Sequence, residues 1–362
     1  MSFTRYDPDT GEYIALCMFS AEDFALNQQR IADAAAPALH SSETSLQQGQ
    51  TSMILNSANL RTLFTGYSSA FHSAFAATKP LYPNVAMTVP SSTRSNEYGW
   101  LGDFPRLREW IGDRIVRNIA AHGYTIKNRS FESTVAVPKE DIEDDQVGIY
   151  TPMMSELGTL SSTFPDELVW SLLKEGWTTP CYDGQYFFDT DHPRLDAGGT
   201  NKVSWANTDG GTGPAWFLAD NTRSLKPIIF QNRREFTLAR MDQDTDEAVF
   251  NRKEYRYGVD GRCNVGYGLP QLIWGSKQPL NEENYVKART ALTTMKGDYD
   301  RLLAVKPAVL IVGPSNEAAA RRLLLNETTG IVVDNSGPNP VAYSETNPWK
   351  GTAELLVVPW LD

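Results

Sequence analysis

Histidine and cysteine are scarce in this chain, 4 and 3 among 362 residues. The cysteines, Cys17, Cys181 and Cys263, are odd in number and far apart. That excludes a disulfide framework, matches no zinc-finger spacing and leads one to expect synthesis in a reducing compartment. No apolar run approaches the length of a membrane-spanning helix. The first residues lack the basic-then-apolar order of a signal peptide. Basic excess is missing too: 33 Lys+Arg face 44 Asp+Glu, a net charge of −11, whereas a chain built to grip nucleic acid is basic. There is no HExxH helix and no internal repeat, and Gly313 alone makes no phosphate loop.

What is present is an ordinary globular composition, 41% hydrophobic and 21% charged, long enough to bury a large core in one or two domains. The 15 Phe, 15 Tyr and 9 Trp point to extensive packing or interface surface. The most organised stretch is 135–177. A β-type run at 133–137 stops at Pro138, and five carboxylates follow: Glu140, Asp141, Glu143, Asp144 and Asp145. Helical periodicity then begins. Ile149, Met153, Leu157, Leu160 and Phe164 recur every three or four residues and share one face of a long, partly buried helix. Thr151 before Pro152 suits an N-cap and first helical position. Pro165 is a place to kink or restart, and Gly176 suits the residue after the C-cap. The carboxylates read as an acidic helix entrance that complements the macrodipole; they lack the alternation and glycine of a calcium loop.

Three strings carry a family resemblance: SSTRSNEYGWLGDFP at 91–105, EDDQVGIYTP at 143–152 and PCYDGQYFFDTDHP at 180–193. Through them the chain, from about Met53 onward, resembles the major head (capsid) proteins of Mu-like tailed phages, a family similar in fold to the Hong Kong 97-type capsid proteins. The strings carry no catalytic logic, so they mark a family and not a chemistry. The resemblance implies an α+β fold in which residues 1–52 are an N-terminal extension and 53–84 an N-arm. It places an extended loop (E-loop) region at 85–128 and a peripheral (P) domain at 129–225, with a spine helix over about 146–175. An axial (A) domain with returning P-domain segments follows at 226–345, and a C-terminal strand at 346–362. It further implies hexamers and pentamers of the chain closing an icosahedral shell around double-stranded DNA contacted non-specifically. A scaffold protein and maturation protease act during assembly in the bacterial cytoplasm, and a portal protein sits at one vertex of the virion. No enzyme activity, cofactor or membrane partner is implied.

Along the chain, 20–36 reads as a helix with Phe24 and Ile31 on one face, followed by a polar linker at 40–50. Phe24 and Ile31 are expected to contact an adjacent subunit, so that the extension acts as a clasp. A second helix is expected at 56–78 through Leu60, Leu63, Phe64, Tyr67, Phe71 and Phe75. In the E-loop region Phe104, Leu107, Trp110 and Ile111 cluster on what should project, and projecting apolar side chains need a neighbour to bury them. A short amphipathic helix on its own core is the alternative there. Arg108 and Arg114, in an arginine-dense stretch, have Glu140 and Asp144 of a neighbour as candidate partners. Such pairs set register more than they add affinity. Further on, 200–213 reads as a surface loop, 216–218, 227–230 and 235–238 as short strands, and 249–268 as β-rich. A helix is expected at 281–303, then a buried strand at 308–312, a helix at 317–325 and a last strand at 355–358.

Two rivals to the capsid reading exist. Asp189, Asp191 and His192 could ligate a metal in a metal-dependent hydrolase, although Asp before His-Pro is also good turn chemistry. Cys181 with His192 offers a thiol–imidazole pair, but nothing in the sequence marks an orienting third group. The other rival is a nanocompartment shell protein of the same fold.

Overall fold

The computed structural model describes residues 3–6, 13–16, 57–101, 123–144, 146–243, 245–334 and 341–362. Met1–Gln50 is a unit of its own. In it Phe3–Tyr6 (β1) and Tyr13–Leu16 (β2) pair as an antiparallel hairpin, which is absent from the expectations above. Phe24 and Ile31 lie outside the described residues.

The second unit, Thr51–Asp362, opens with the helix Ser57–Ala77 (α1), in which Leu60, Tyr67 and Phe71 are buried. Helix α1 ends before Pro80, Pro83 sits in a 3-10 turn at Tyr82–Asn84, and the strand Ala86–Pro90 (β3) follows. Ser95–Glu97 (β4) and Thr125–Lys127 (β5) pair antiparallel and close the base of an excursion. Its residues 102–122, with Phe104, Leu107, Arg108, Trp110 and Arg114, lie outside the described residues. After Arg129–Pro138 (β6) the acidic run makes a short helix of its own, Lys139–Glu143 (α2). It is therefore not the first turn of the long helix Thr151–Lys174 (α3), which has no acidic residue there. The N-cap of α3 is Tyr150, one residue before the expected Thr151.

Pro165 lies inside α3 without ending it. The buried face of α3 carries Met154, Gly158, Ser161, Pro165, Val169 and Trp170. Of the expected stripe only Leu157 is buried, and Ile149, Met153 and Leu160 are 59%, 48% and 55% exposed. The physical reason is the approach of α1. A Cβ on Gly158 would lie 2.3 Å from the Phe71 carbonyl oxygen, so this contact selects small residues and not the large apolar ones. Gly176 is likewise a packing residue: the C-cap Glu175 has an ordinary φ of −77°, and a Cβ on Gly176 would meet the Phe188 ring at 2.6 Å.

The chain continues with His192–Leu195 (β7), Lys202–Trp205 (β8), Thr208–Gly211 (β9), Trp216–Ala219 (β10) and Ile228–Met241 (β11). Glu247–Arg252 (α4), Glu254–Tyr267 (β12), Ile273–Lys277 (β13) and Glu282–Thr293 (α5) follow. The last elements are Val309–Val312 (β14), Pro314–Leu325 (α6), Thr328–Asp334 (β15), Val341–Thr346 (β16) and Glu354–Val357 (β17). Strands β8 and β9 occupy the expected loop at 200–213. In TDGG only Thr208 favours a strand, and the segment's place is set by backbone pairing alongside β13. Strand β11 joins two runs that read as separate. Helix α5 stops ten residues short of 303, because Tyr299 takes φ 63° and Leu302 points to solvent at 54% exposure.

Two sheets organise the unit. One has the order β3-β11-β12-β6, the other β17-β14-β10-β13-β9. They do not sort along a single cut at 225/226, since β10 precedes that point in the second sheet while β11 and β12 return to pair in the first. Helices α1 and α3 cover the four-stranded sheet, where Phe71, Leu157 and Val259 meet. The C-terminal half of α3 continues under the five-stranded sheet, with Val169, Trp170 and Leu173 against Phe217, Ile273, Val309 and Ile311. On the other side of that sheet, α5 and α6 pack Tyr285, Leu292 and Leu324 against Trp216, Leu218 and Leu310.

A buried carboxylate fixes the end of β10. Asp220 accepts hydrogen bonds from the Thr222 N–H (3.0 Å) and hydroxyl (2.6 Å), the Lys306 N–H (3.0 Å) and the Arg223 Nε (3.0 Å). Arg223 also donates to the Leu303 and Ala304 carbonyls, at 2.6 Å each. Burial opposes ionisation of Asp220, but the Lys306 and Thr222 hydrogen bonds and the Arg223 charge together hold its carboxyl below the usual range. A depressed folded value means that the stabilisation is present above the unfolded pKa, roughly 4, and is lost as pH falls through the folded value. Asp220→Asn is therefore expected to cost about 1–3 kcal/mol at neutral pH, with the deficit shrinking below pH ~4. Urea unfolding across pH 2–7 checks this, and a deficit independent of pH contradicts it.

Candidate assembly surfaces

Helix α3 has one face in the core and another facing out with large apolar residues. Beside Leu160 lies a groove of about 370 Å³ lined by Phe131, Leu157, Phe164, Phe236, Val259 and Trp360. Phe164 anchors it, with ring centroids 4.6 Å from Phe131 and 5.7 Å, edge-on, from Phe236. Glu132 and Glu167 also line it. Covering a large apolar side chain stabilises by roughly 1.5–3 kcal/mol, so this face gains from contact with another surface. Phe250 on α4 is 82% exposed.

The acidic residues are only partly free for partners. Glu140 lies 3.6 Å from Lys253 of its own chain, with both side chains largely exposed, and a pair of that kind is worth little. Asp141 accepts a short hydrogen bond from the Tyr150 hydroxyl. Asp144 is exposed and has no ion-pair partner among the described residues.

The enzyme-like constellation does not form as expected. Asp191 is exposed, and the Asp189 carboxylate accepts from the backbone N–H of Thr190 (2.7 Å) and Tyr186 (3.3 Å). His192 instead lies with Nδ1 2.7 Å from Asp183 Oδ2, and the Cys181 thiol donates to Asp183 Oδ1 at 3.0 Å. Asp183 is thus the third group that the sequence reading leaves out. Its cue is spacing: residues two apart across a tight turn point the same way. The arrangement is not a nucleophile and its base, because the thiol faces a carboxylate. Burial, then the Asp183 charge, pushes the Cys181 thiol well above its usual range, and catalysis by thiolate needs the opposite shift. The other described cysteine, Cys263, is free and buried, with its thiol pushed up to about 12 by burial.

A large outward apolar face on α3 is an attribute of an assembling subunit, and no catalytic geometry forms among the described residues. Residues 60–361 match the model of a family described as Mu-like prophage major head subunit gpT. The chain belongs to this family. It is 45% identical over 285 residues to the Mu-like prophage FluMu major head subunit of Haemophilus influenzae, covering 76% of this chain and 92% of that one. It is 37% identical over 314 residues to the major capsid protein of Escherichia phage Mu, covering 85% of this chain and 100% of the relative. Among solved structures, a chain from the procapsid of bacteriophage JBD30 superposes with a TM-score of 0.72 at 40% identity. One from the JBD30 capsid superposes with 0.64 at 31%. Each comparison covers 85% of this chain and 100% of the other. The fold is that of the Hong Kong 97-type phage capsid proteins, mixed α and β, and members of this Mu-like family are structural proteins, not enzymes. That sets aside the hydrolase reading and places the chain with phage heads.

Replacing Met153 and Leu160 together by Gln tests what the outer face of this head subunit does. Both side chains are about half exposed, so the unassembled subunit should keep its urea midpoint to within ~0.5 kcal/mol. Sedimentation should show fewer assembled particles. A clear loss of subunit stability with normal particles contradicts this assignment.

Proposed function

We propose that this head subunit assembles as hexamers and pentamers into the icosahedral head of a Mu-like tailed phage, enclosing double-stranded DNA. The observation that carries the reading is the family match across residues 60–361. The net charge of −11 suits a shell wall that holds DNA without gripping it. Assembly takes place in the host cytoplasm with a scaffold protein and a maturation protease, and a portal protein occupies one vertex.

Within this reading, α1 belongs to the N-arm, and the β4–β5 ladder is the root of the E-loop. The four-stranded sheet with α3, its spine, is the P domain, and the five-stranded sheet with α5 and α6 is the A domain. The E-loop reaches a neighbouring subunit through Phe104, Leu107 and Trp110. Arg108 and Arg114 meet the acidic corner around Glu140 and Asp144, where Asp144 is exposed. Residues 1–52 serve as a clasp, with Phe24 and Ile31 on an adjacent subunit.

Changing Phe104, Leu107 and Trp110 together to Ala is expected to leave a folded subunit, judged by circular dichroism, that no longer closes shells. Interface anchors of this type cost about 2 kcal/mol or more each when truncated, and the loss repeats at every contact in a shell. Electron microscopy of the expressed protein checks it, and normal particles from the triple variant contradict the E-loop assignment.

A further inference from the structure

One buried polar cluster has no task in the assembly described above. Cys181, Asp183 and His192 bring a sulfur, a carboxylate oxygen and an imidazole nitrogen within 4.8 Å of one another. The His192 side chain is fully buried and that of Asp183 is 9% exposed. Soft thiolate, imidazole and carboxylate together are the donor set of zinc and its close relatives.

The backbone holds the donors without help from an ion. A tight turn places Cys181 and Asp183: the Cys181 N–H donates to the Gln185 carbonyl at 2.8 Å and the Gly184 N–H to the Cys181 carbonyl at 3.2 Å, with Gly184 at φ 89°. His192 opens β7, pairs in register with Trp205 of β8 and stacks on its ring at 4.4 Å. The two segments meet through these three side chains, through Gln185, whose amide donates to the Asp191 carbonyl at 3.5 Å, and through Tyr182, which shares a cleft with Arg194 and Trp205. Tetrahedral zinc, with bonds of roughly 2.0–2.3 Å, sets its ligand atoms roughly 3.3–3.7 Å apart. The Sγ–Oδ1 and Nδ1–Oδ2 distances of 3.0 and 2.7 Å lie just short of that range, and the three donors together fall within 4.8 Å.

Charge balance favours the same assignment. Thiolate and carboxylate neutralise a divalent cation, leaving a buried site with no net charge, the cheapest state for its surroundings. In the ion-free cluster the His192 Nδ1–H donates to the Asp183 carboxylate, and the buried Nε2, which has no hydrogen-bond partner, is the nitrogen that takes the proton when an ion displaces it from Nδ1. A cleft of about 180 Å³ lined by Tyr182, Asp183 and Trp205 can supply water as the fourth ligand.

We propose that Cys181, Asp183 and His192 bind one zinc-class divalent cation, which staples the 181–184 turn to the β7–β8 hairpin. The thiol releases its proton to solvent on binding, and the imidazole moves its proton from Nδ1 to Nε2. The ion is structural, so the chain remains a shell protein with no turnover. The ligand set differs from Asp189, Asp191 and His192, and the ion departs from the expectation of no cofactor.

The test uses the full chain, expressed without a histidine tag in zinc-supplemented medium and analysed by plasma mass spectrometry. About one zinc per chain is expected, falling at least tenfold in Cys181→Ser and in His192→Gln but not in Cys263→Ala. Cobalt(II) added to the chelated chain should produce a thiolate charge-transfer band that Cys181→Ser lacks. Chelation of the wild-type chain should lower its thermal midpoint, with recovery on adding zinc but not magnesium. If Cys181→Ser does not fold, the chelation and cobalt experiments on the wild-type chain decide. Absence of stoichiometric zinc together with no cobalt band overturns the proposal, as does a band that survives in a folded Cys181→Ser.

Discussion

The path of the chain depends on a close crossing of α3 over α1. At Gly158 the helix backbones approach until there is no room for a Cβ against the Phe71 carbonyl. Ser161 and Ser162 extend the small-residue surface, and the Ser162 hydroxyl donates to the Thr78 carbonyl at 3.2 Å. One turn further on, the buried carboxylate of Asp166 accepts from the backbone N–H groups of Leu81 (2.9 and 3.0 Å) and Tyr82 (2.5 Å). Those N–H groups lie just after α1, where the chain turns into β3. The crossing thus fixes the path of the chain into the four-stranded sheet. Burial keeps the carboxyl of Asp166 above its usual range against the opposing pull of the two backbone donors, as expected where a buried acid replaces lost backbone hydrogen bonds.

Because that crossing is made by small residues, the large apolar side chains of α3 are left for other tasks. Toward the C-terminus they fill the second core, where Trp170 and Leu173 are fully buried. Toward the N-terminus they face out. A subunit that must be stable alone and also adhere to copies of itself needs this division, since a surface that satisfies its own core has nothing to offer a neighbour. The C-terminus closes the arrangement. The Asp362 carboxylate accepts from the Ser315 N–H and hydroxyl at 2.8 Å each, occupying the positive N-terminus of α6, while Lys174 at the end of α3 donates to the Asp362 backbone carbonyl at 2.8 Å.

Much of this was legible in the residues. The three-to-four spacing of apolar residues marks α1 and α3 to within a few positions, and the apolar run at 309–312 marks β14. What periodicity could not say is which face of α3 is inside. Gly158, Ser161 and Ser162 read as polar or weak positions, yet their smallness is what burial required, while Met153 and Leu160 read as core and lie outside. Strand β9 was hidden because its aspartate and two glycines are weak strand formers, and β8, despite Val203 and Trp205, because the Gly-, Asn- and Thr-rich residues around it read as a loop. At the Cys181–His192 cluster, the thiol and imidazole were visible in sequence but Asp183 was not, since its role depends on a turn bringing 183 to 192. The family resemblance rested on strings that have no chemical logic of their own, and the comparisons bear it out.

Two adjacent side chains lie in opposite environments: Met153 is 48% exposed on the outer face and Met154 is fully buried. Mild peroxide converts accessible methionine to the sulfoxide, and peptide mass spectrometry reads each residue separately. In unassembled subunits Met153 should oxidise while Met154 does not, and in assembled shells Met153 should become protected as well. Oxidation of Met153 at the same rate in shells as in subunits would contradict the claim that this face of α3 is buried by assembly.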